Sequence, residues 1–192
     1  MKKILVGFIS VMFFTVFFSA STANADSAEY LGAKKCIMCH IKQYKSWQKT
    51  KMATSFENLK AGVKAEAKEK AGLAPDKDYT TDANCLKCHT TGYGEAGGFK
   101  SVADTPKLIN VQCEGCHGPG SEYRKIMMRN PKYITSELRA VGLTDLSEDE
   151  KTCLKCHGGD SPFNEKLDPK YKFIFKERLK NTHKNFPKKF EH

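Results

Sequence analysis

The chain has no cysteine to spare. All eight of its cysteines fall inside four copies of one five-residue pattern, which excludes a disulfide framework. Histidine is nearly as scarce: there are six, and four of them belong to those same copies. Tryptophan occurs once, and hydrophobic residues make up only 40% of 192 positions. Many of those lie near the N-terminus, so a peptide core built from the remainder is thin. After Ala20 no long apolar run remains, which leaves one stretch able to approach the thickness of a bilayer. Size scaling allows a single domain at this length.

The four copies are Cys36-Ile37-Met38-Cys39-His40, Cys85-Leu86-Lys87-Cys88-His89, Cys113-Glu114-Gly115-Cys116-His117 and Cys153-Leu154-Lys155-Cys156-His157. Two cysteines three apart can form thioether bonds to the vinyl groups of a haem. The adjacent histidine then reaches the iron from one side. Zinc would use the thiolates but would leave a histidine after every pair unexplained. The sequence therefore predicts four covalently attached c-type haems, held by Cys36, Cys39, Cys85, Cys88, Cys113, Cys116, Cys153 and Cys156. Their proximal iron ligands are His40, His89, His117 and His157. One domain stabilised by these cofactors fits the composition better than an apolar core standing alone.

Such attachment belongs to an oxidising, exported compartment. Lys2 and Lys3 precede an apolar run from Ile4 to Ala20, and Ala23-Asn24-Ala25 supplies a small-residue cleavage site. This pattern predicts a signal peptide over residues 1–25 and a mature tetrahaem domain over residues 26–192, located in the periplasm with no transmembrane anchor after cleavage. Loss of Lys2 and Lys3 takes the formal charge from +10 to +8. The basic residues are spread along the chain without a binding motif, which argues against nucleic acid as a partner. The two propionates on each haem would formally offset the excess, so the lysines read as compensation of cofactor charge.

The motifs begin 49, 28 and 40 residues apart, so the motif repeats and no fixed-length module does. Tyr44, Trp47, Phe56 and Leu59 lie near helical spacing, and the segment from Ile41 to Lys60 is predicted as the longest helix. Lys64 to Ala71 reads as a polar helix with Glu66 and Lys70 four apart, and Pro75 to Asp82 as a turn-rich connection. Gly92, Gly94, Gly97 and Gly98 exclude regular helix over residues 91–98, leaving an open loop or a short strand pair. Glu122 to Arg129 reads as helix up to Asn130-Pro131. Ser147 and Glu150 resemble a capping box before the fourth motif, and Lys172 to Asn185 is the last helical candidate. The predicted fold class is a mostly α-helical multihaem cytochrome c, with long loops organised around four haems and at most a small strand pair.

Four six-coordinate irons need eight axial groups, and the motifs supply four. Outside the motifs only His183 and His192 remain, so histidine on both sides of every iron is impossible within one chain. The mature methionines are Met38, Met52, Met127 and Met128. Met38 lies inside a motif and is poorly placed. Met52 either ligates an iron or packs against porphyrin, with Lys51 as a rival only when deprotonated, and the Met127/Met128 pair carries the same ambiguity.

With the motif order go Gly32-Ala33-Lys34-Lys35-Cys36, Trp47-Gln48-Lys49-Thr50, Lys77-Asp78-Tyr79-Thr80, Gly92-Tyr93-Gly94, Cys113-Glu114-Gly115-Cys116-His117-Gly118-Pro119-Gly120 and Lys170-Tyr171-Lys172-Phe173. Together these resemble the tetrahaem cytochrome c-554 family, known from ammonia-oxidising bacteria, through most of residues 31–183. The terminal region is shorter than that family's. The resemblance implies a largely helical fold with closely packed haems, histidine on both sides of three irons, and no protein distal ligand at the second. Carried over by position, it pairs His183 with His117. At the two other distal-histidine positions this sequence has Met52, paired with His157, and Met127, paired with His40. His89 is left opposite an open site.

Thioether favours ferrous iron more than imidazole does, so the haems of the first and fourth motifs are expected at raised potentials. The leading function is a periplasmic electron carrier between redox proteins, one acting as donor and another as acceptor, with no catalytic residue. One alternative is a reductase or sensor of a small diatomic ligand, nitric oxide, at the open haem. The other is a haem-wire subunit whose neighbour supplies a missing ligand.

Overall fold

The computed structural model describes residues 28–144, 146 and 150–184. The leader segment, Ser147 and the tail that carries His192 lie outside the described residues. Among them the fold is helical, in short pieces: α1 (Ile41–Trp47), α2 (Ala65–Lys70), α3 (Ala83–His89), α4 (Cys113–His117), α5 (Ser121–Arg129), α6 (Thr135–Arg139), α7 (Lys151–His157) and α8 (Phe175–Leu179). The only strand pairing described is one antiparallel bridge between Thr90 and Ile109, so the small strand pair shrinks to a single rung.

The expected long helix from Ile41 to Lys60 is broken. α1 stops at Trp47, where the Thr50 hydroxyl donates to the Trp47 carbonyl at 2.7 Å and the indole N–H donates to the Val111 carbonyl at 2.9 Å. A 3₁₀ segment, Lys51–Leu59, follows, kinked at Thr54 (φ −129°, ψ 18°). The helical spacing of Tyr44, Trp47, Phe56 and Leu59 thus spans two elements whose axes are set by tertiary contacts. The last helical candidate is likewise shorter, reduced to α8 after a 3₁₀ turn at Pro169–Tyr171. α6 has no counterpart in the sequence reading, and Glu137 caps it by accepting from the Ile134 amide at 3.2 Å.

Among the described residues the main apolar cluster is drawn from Tyr30 and from the segment between the first and third motifs. Tyr30, Phe56, Leu59, Tyr79, Leu86, Phe99 and Leu108 form one cluster, with Leu108 fully enclosed. The glycine-rich segment is folded against this cluster. Its Thr91 amide donates to the Leu108 carbonyl and the Phe99 amide to the Thr91 carbonyl, at 2.9 and 3.0 Å. A Cβ on Gly98 would fall 1.7 Å from the Gly92 carbonyl oxygen, and one on Gly92 would meet the Tyr30 ring at 2.7 Å. These glycines therefore serve close approach of backbone to backbone and ring. By contrast α7 and α8 bury no residue.

The N-terminal strap, residues 28–33, ties these parts together. Glu29 and Ser121 exchange two hydrogen bonds, amide to hydroxyl at 2.9 Å and amide to carbonyl at 3.1 Å. Leu31 and Gly32 donate to the Glu114 carboxylate and Ala33 donates to the Gln112 side-chain oxygen.

Candidate functional site

Three of the four attachment motifs are helical: α3, α4 and α7 each end on the motif histidine. The first is a turn preceded by a 3₁₀ segment at Ala33–Lys35. A helical turn places residues three and four apart on one face, so both sulfurs and the imidazole of each motif face one side. That is the arrangement a single porphyrin needs. α3 opens with the Asp82 carboxylate accepting from the Asn84 amide at 3.0 Å, an N-cap that fixes where the second motif begins.

The motifs meet in an order that differs from their order along the chain. The Cys36 and Cys113 thiols lie close enough to shift each other's ionisation, which brings the first motif beside the third. The Cys88 and Cys156 thiols do the same, bringing the second motif beside the fourth. Around that second pair, Cys88 Sγ lies 3.9 Å from the Lys155 carbonyl and Cys156 Sγ lies 4.0 Å from the Lys87 carbonyl. The reciprocity follows from α3 packing against α7. Cys116 is pushed up to about 11 by burial and then by the neighbouring Cys153 and Cys113 thiols, which connects the third motif to the fourth. The spatial sequence of motifs is first, third, fourth, second.

The histidines divide similarly. His117 and His183 have ring centroids 6.4 Å apart with planes inclined by 26°. Imidazoles sharing one metal, with each nitrogen about 2 Å from it, place their centroids about 6 Å apart, so this pair fits a shared iron. Burial, then the His183 and His40 imidazoles, hold His117 down to about 4. Burial and then His183 also lower His40. The neutral imidazole so favoured is the form that binds a metal. The His183 end of the chain is held by the Lys184 amide, which donates to Ser46 Oγ at 2.9 Å.

His89 is oriented from behind. Its Nδ1 stands 2.6 Å from the Ser55 carbonyl. A carbonyl can only accept, so Nδ1 carries the proton and Nε2 is left for a metal. Burial holds this imidazole below its ordinary range, opposed by that hydrogen bond. Ser55 is itself locked, its hydroxyl donating to the His89 carbonyl at 3.4 Å and accepting from the Val111 amide at 3.2 Å. The next amide, Phe56, donates to the Asn110 side chain at 2.9 Å. The His157 ring lies against Phe173 at 5.0 Å and 13°, and burial and then Arg178 lower it.

Met52 is half-buried on the 3₁₀ segment that carries Ser55, whereas Lys51 is exposed. On α5, Met127 is half-buried and Met128 is 59% exposed. The two methionine placements stand on burial and position, while that of His183 stands on a contact. Sequence reasoning missed Ser55, Asn110, Gln112 and Glu114 as supporting residues. Only Glu114 carried a signal, as an acidic side chain inside an attachment motif.

Comparison with known proteins identifies the family. Residues 35–118 match the family of cytochrome c554 and c-prime. Cytochrome c-554 of Nitrosomonas europaea is 36% identical over 194 residues, covering 92% of this chain and 82% of that protein. The solved reduced state of cytochrome c554 from Nitrosomonas europaea superposes with a TM-score of 0.71 at 37% identity, over 81% of this chain and 84% of that one. Four attachment motifs, a helical frame that gathers them and a relative alike over most of its length place this chain in the cytochrome c-554 family.

Proposed function

We propose that the chain is a periplasmic tetrahaem electron carrier with one bis-histidine iron, two histidine–methionine irons and one open iron. Family membership makes it an exported c-type cytochrome and an electron carrier rather than an enzyme. The count of four haems and the ligand set are the finer reading. Bound haem supplies the one-electron ferric–ferrous couple. The chain's own residues attach it, orient its ligands, exclude water and set the surrounding charge.

The observation that carries the ligand set is the 6.4 Å spacing of His117 and His183, which supports His183 on the third iron rather than on the other three. As the family resemblance implies, Met52 serves with His157 and Met127 with His40. Partial burial of both, beside exposed Lys51 and Met128, supports that distribution. His89 takes its iron alone, and a diatomic ligand such as nitric oxide or carbon monoxide fits the free position. Donor and acceptor are redox proteins. The motifs at the two ends of the spatial series, the first and the second, are the natural points of exchange with them. The mature chain acts as one tetrahaem domain, because the first and second motifs each lie beside a motif of the second half.

Intact mass after denaturation tests the attachment, and four haem increments above the polypeptide mass are expected. Optical potentiometry of the same protein tests the ligands. It should resolve two components above the bis-histidine one, and carbon monoxide should bind a single reduced haem. Four components with bis-histidine spectra, or haem lost on denaturation, would overturn the reading.

A further inference from the structure

We propose that Glu114 is a fixed anion that holds the third haem toward its ferric form. The proposal rests on haem attachment at Cys113 and Cys116 and on the proposed ligand set, in which the third iron is the bis-histidine one.

Among the four motifs, only the third places an acid between its cysteines. The second and fourth have a lysine there, Lys87 and Lys155, and the first has neither. Glu114 is 2% exposed, and a carboxylate this deep is costly unless its oxygens are fully engaged. Both are. Oε1 accepts from the Leu31 and Gly120 amides at 2.9 and 2.8 Å, and Oε2 from the Leu31 and Gly32 amides at 3.0 and 2.7 Å. These lengths are those of charge-assisted hydrogen bonds.

The nest is built around the carboxylate. A Cβ on Gly120 would stand 2.8 Å from Oε1, and Gly32 takes φ +85° to present its amide. Backbone amides solvate the charge without cancelling it, as a lysine or arginine would. Its influence reaches the surrounding groups: the Tyr123 phenol is raised first by burial and then by Glu114, and the Tyr30 phenol by burial, Glu95 and then Glu114.

Reduction adds one electron to an iron and so removes one positive charge. A neighbouring anion stabilises the ferric state more than the ferrous, and burial keeps solvent and salt from screening the difference. Glu114 lies within the turn that carries both thioether cysteines and the ligand His117, so its field acts on that haem. Helix α4 thereby carries a potential-setting group of its own.

The test uses the haem-loaded protein, counted by mass, with electron paramagnetic resonance following the bis-histidine component through a redox titration. Glu114→Gln should raise the midpoint of that component. At a fixed poise its ferrous-to-ferric ratio should increase on the order of tenfold, with smaller changes elsewhere. Glutamine also turns a donor toward an amide, so stability falls, and two further variants separate charge from structure. Gln112→Ala disrupts the neighbouring anchor, where Gln112 accepts from Ala33 and donates to the Lys107 and Ile109 carbonyls. Glu114→Asp weakens the nest but keeps the charge. Both should melt lower with the native midpoint. An unchanged midpoint in Glu114→Gln, or an equal rise in either of the other two, would overturn the proposal, even with all four haems attached.

Discussion

His183 stands across from His117 at the distance of two ligands on one metal, 6.4 Å between ring centroids, although one follows α8 and the other ends α4. Replacing His183 with alanine should convert one low-spin ferric signal to high-spin while the haem count stays at four. His183→Met should restore a low-spin iron at a higher potential, because thioether favours the ferrous state. A low-spin spectrum unchanged in His183→Ala would remove this residue from the ligand set.

Met52→His and Met127→His should each lower one midpoint and weaken the sulfur-to-ferric charge-transfer absorption. Met128→Leu should change neither, since that side chain is exposed. Each single variant should leave one such band, and the double variant none. A band that survives the double replacement would assign the sulfur elsewhere.

Asn110 holds a left-handed backbone, φ 74°, while accepting from the Phe56 amide beside Ser55. Asn110→Ala should lose both the conformation and the bond, costing about 2–3 kcal/mol. Asn110→Gly should recover the backbone part only. The iron–histidine stretch of the reduced second haem, read by resonance Raman, should broaden in both as the Ser55 carbonyl loses its hold on His89.

Gly98→Ala would drive a methyl into the Gly92 carbonyl. Overpacking against rigid backbone costs about 1–3 kcal/mol or more, so thermal denaturation should shift down. Gly94→Ala faces open space, but it must bear φ +84°, and its cost should be about 1 kcal/mol. Equal effects of the two would contradict the tight packing of this loop.

The halves of the molecule should respond differently to loss of a haem. Cys85→Ala with Cys88→Ala removes the second haem from a region with its own apolar cluster, Phe56, Tyr79, Leu86 and Leu108 among it. Cys153→Ala with Cys156→Ala removes the fourth, beside α7 and α8, which bury no residue. Hydrogen exchange should therefore quicken over residues 150–184 far more in the second variant than over residues 56–109 in the first.

The attachment residues were legible in the sequence because covalent chemistry fixes their spacing, and the helical class followed from periodicity and the scarcity of strand signals. The break after Trp47 was not legible. It depends on an indole hydrogen bond to Val111 and a hydroxyl turn at Thr50, neither of which leaves a mark on hydrophobic spacing. The glycines of residues 92–98 announced irregular backbone but not what they were for. Only the approach of Tyr30 and of the loop to itself shows that. The nest around Glu114 draws its donors from residues 31, 32 and 120, and no local pattern foretells such a meeting.

The spatial order of the motifs bears on how the protein is made. An exported chain emerges from its N-terminus, so the first and second motifs become available before the third and fourth. Neither early motif has its neighbour yet: Cys36 waits for Cys113, and Cys88 for Cys156. Both pairings of an early motif span the middle of the polypeptide, and a cut between the second and third motifs leaves the N-terminal fragment without a complete pair. The first two haems therefore meet these neighbours only once the rest of the chain has arrived, and a chain truncated before Cys113 would carry two unpartnered haems on a half-built frame.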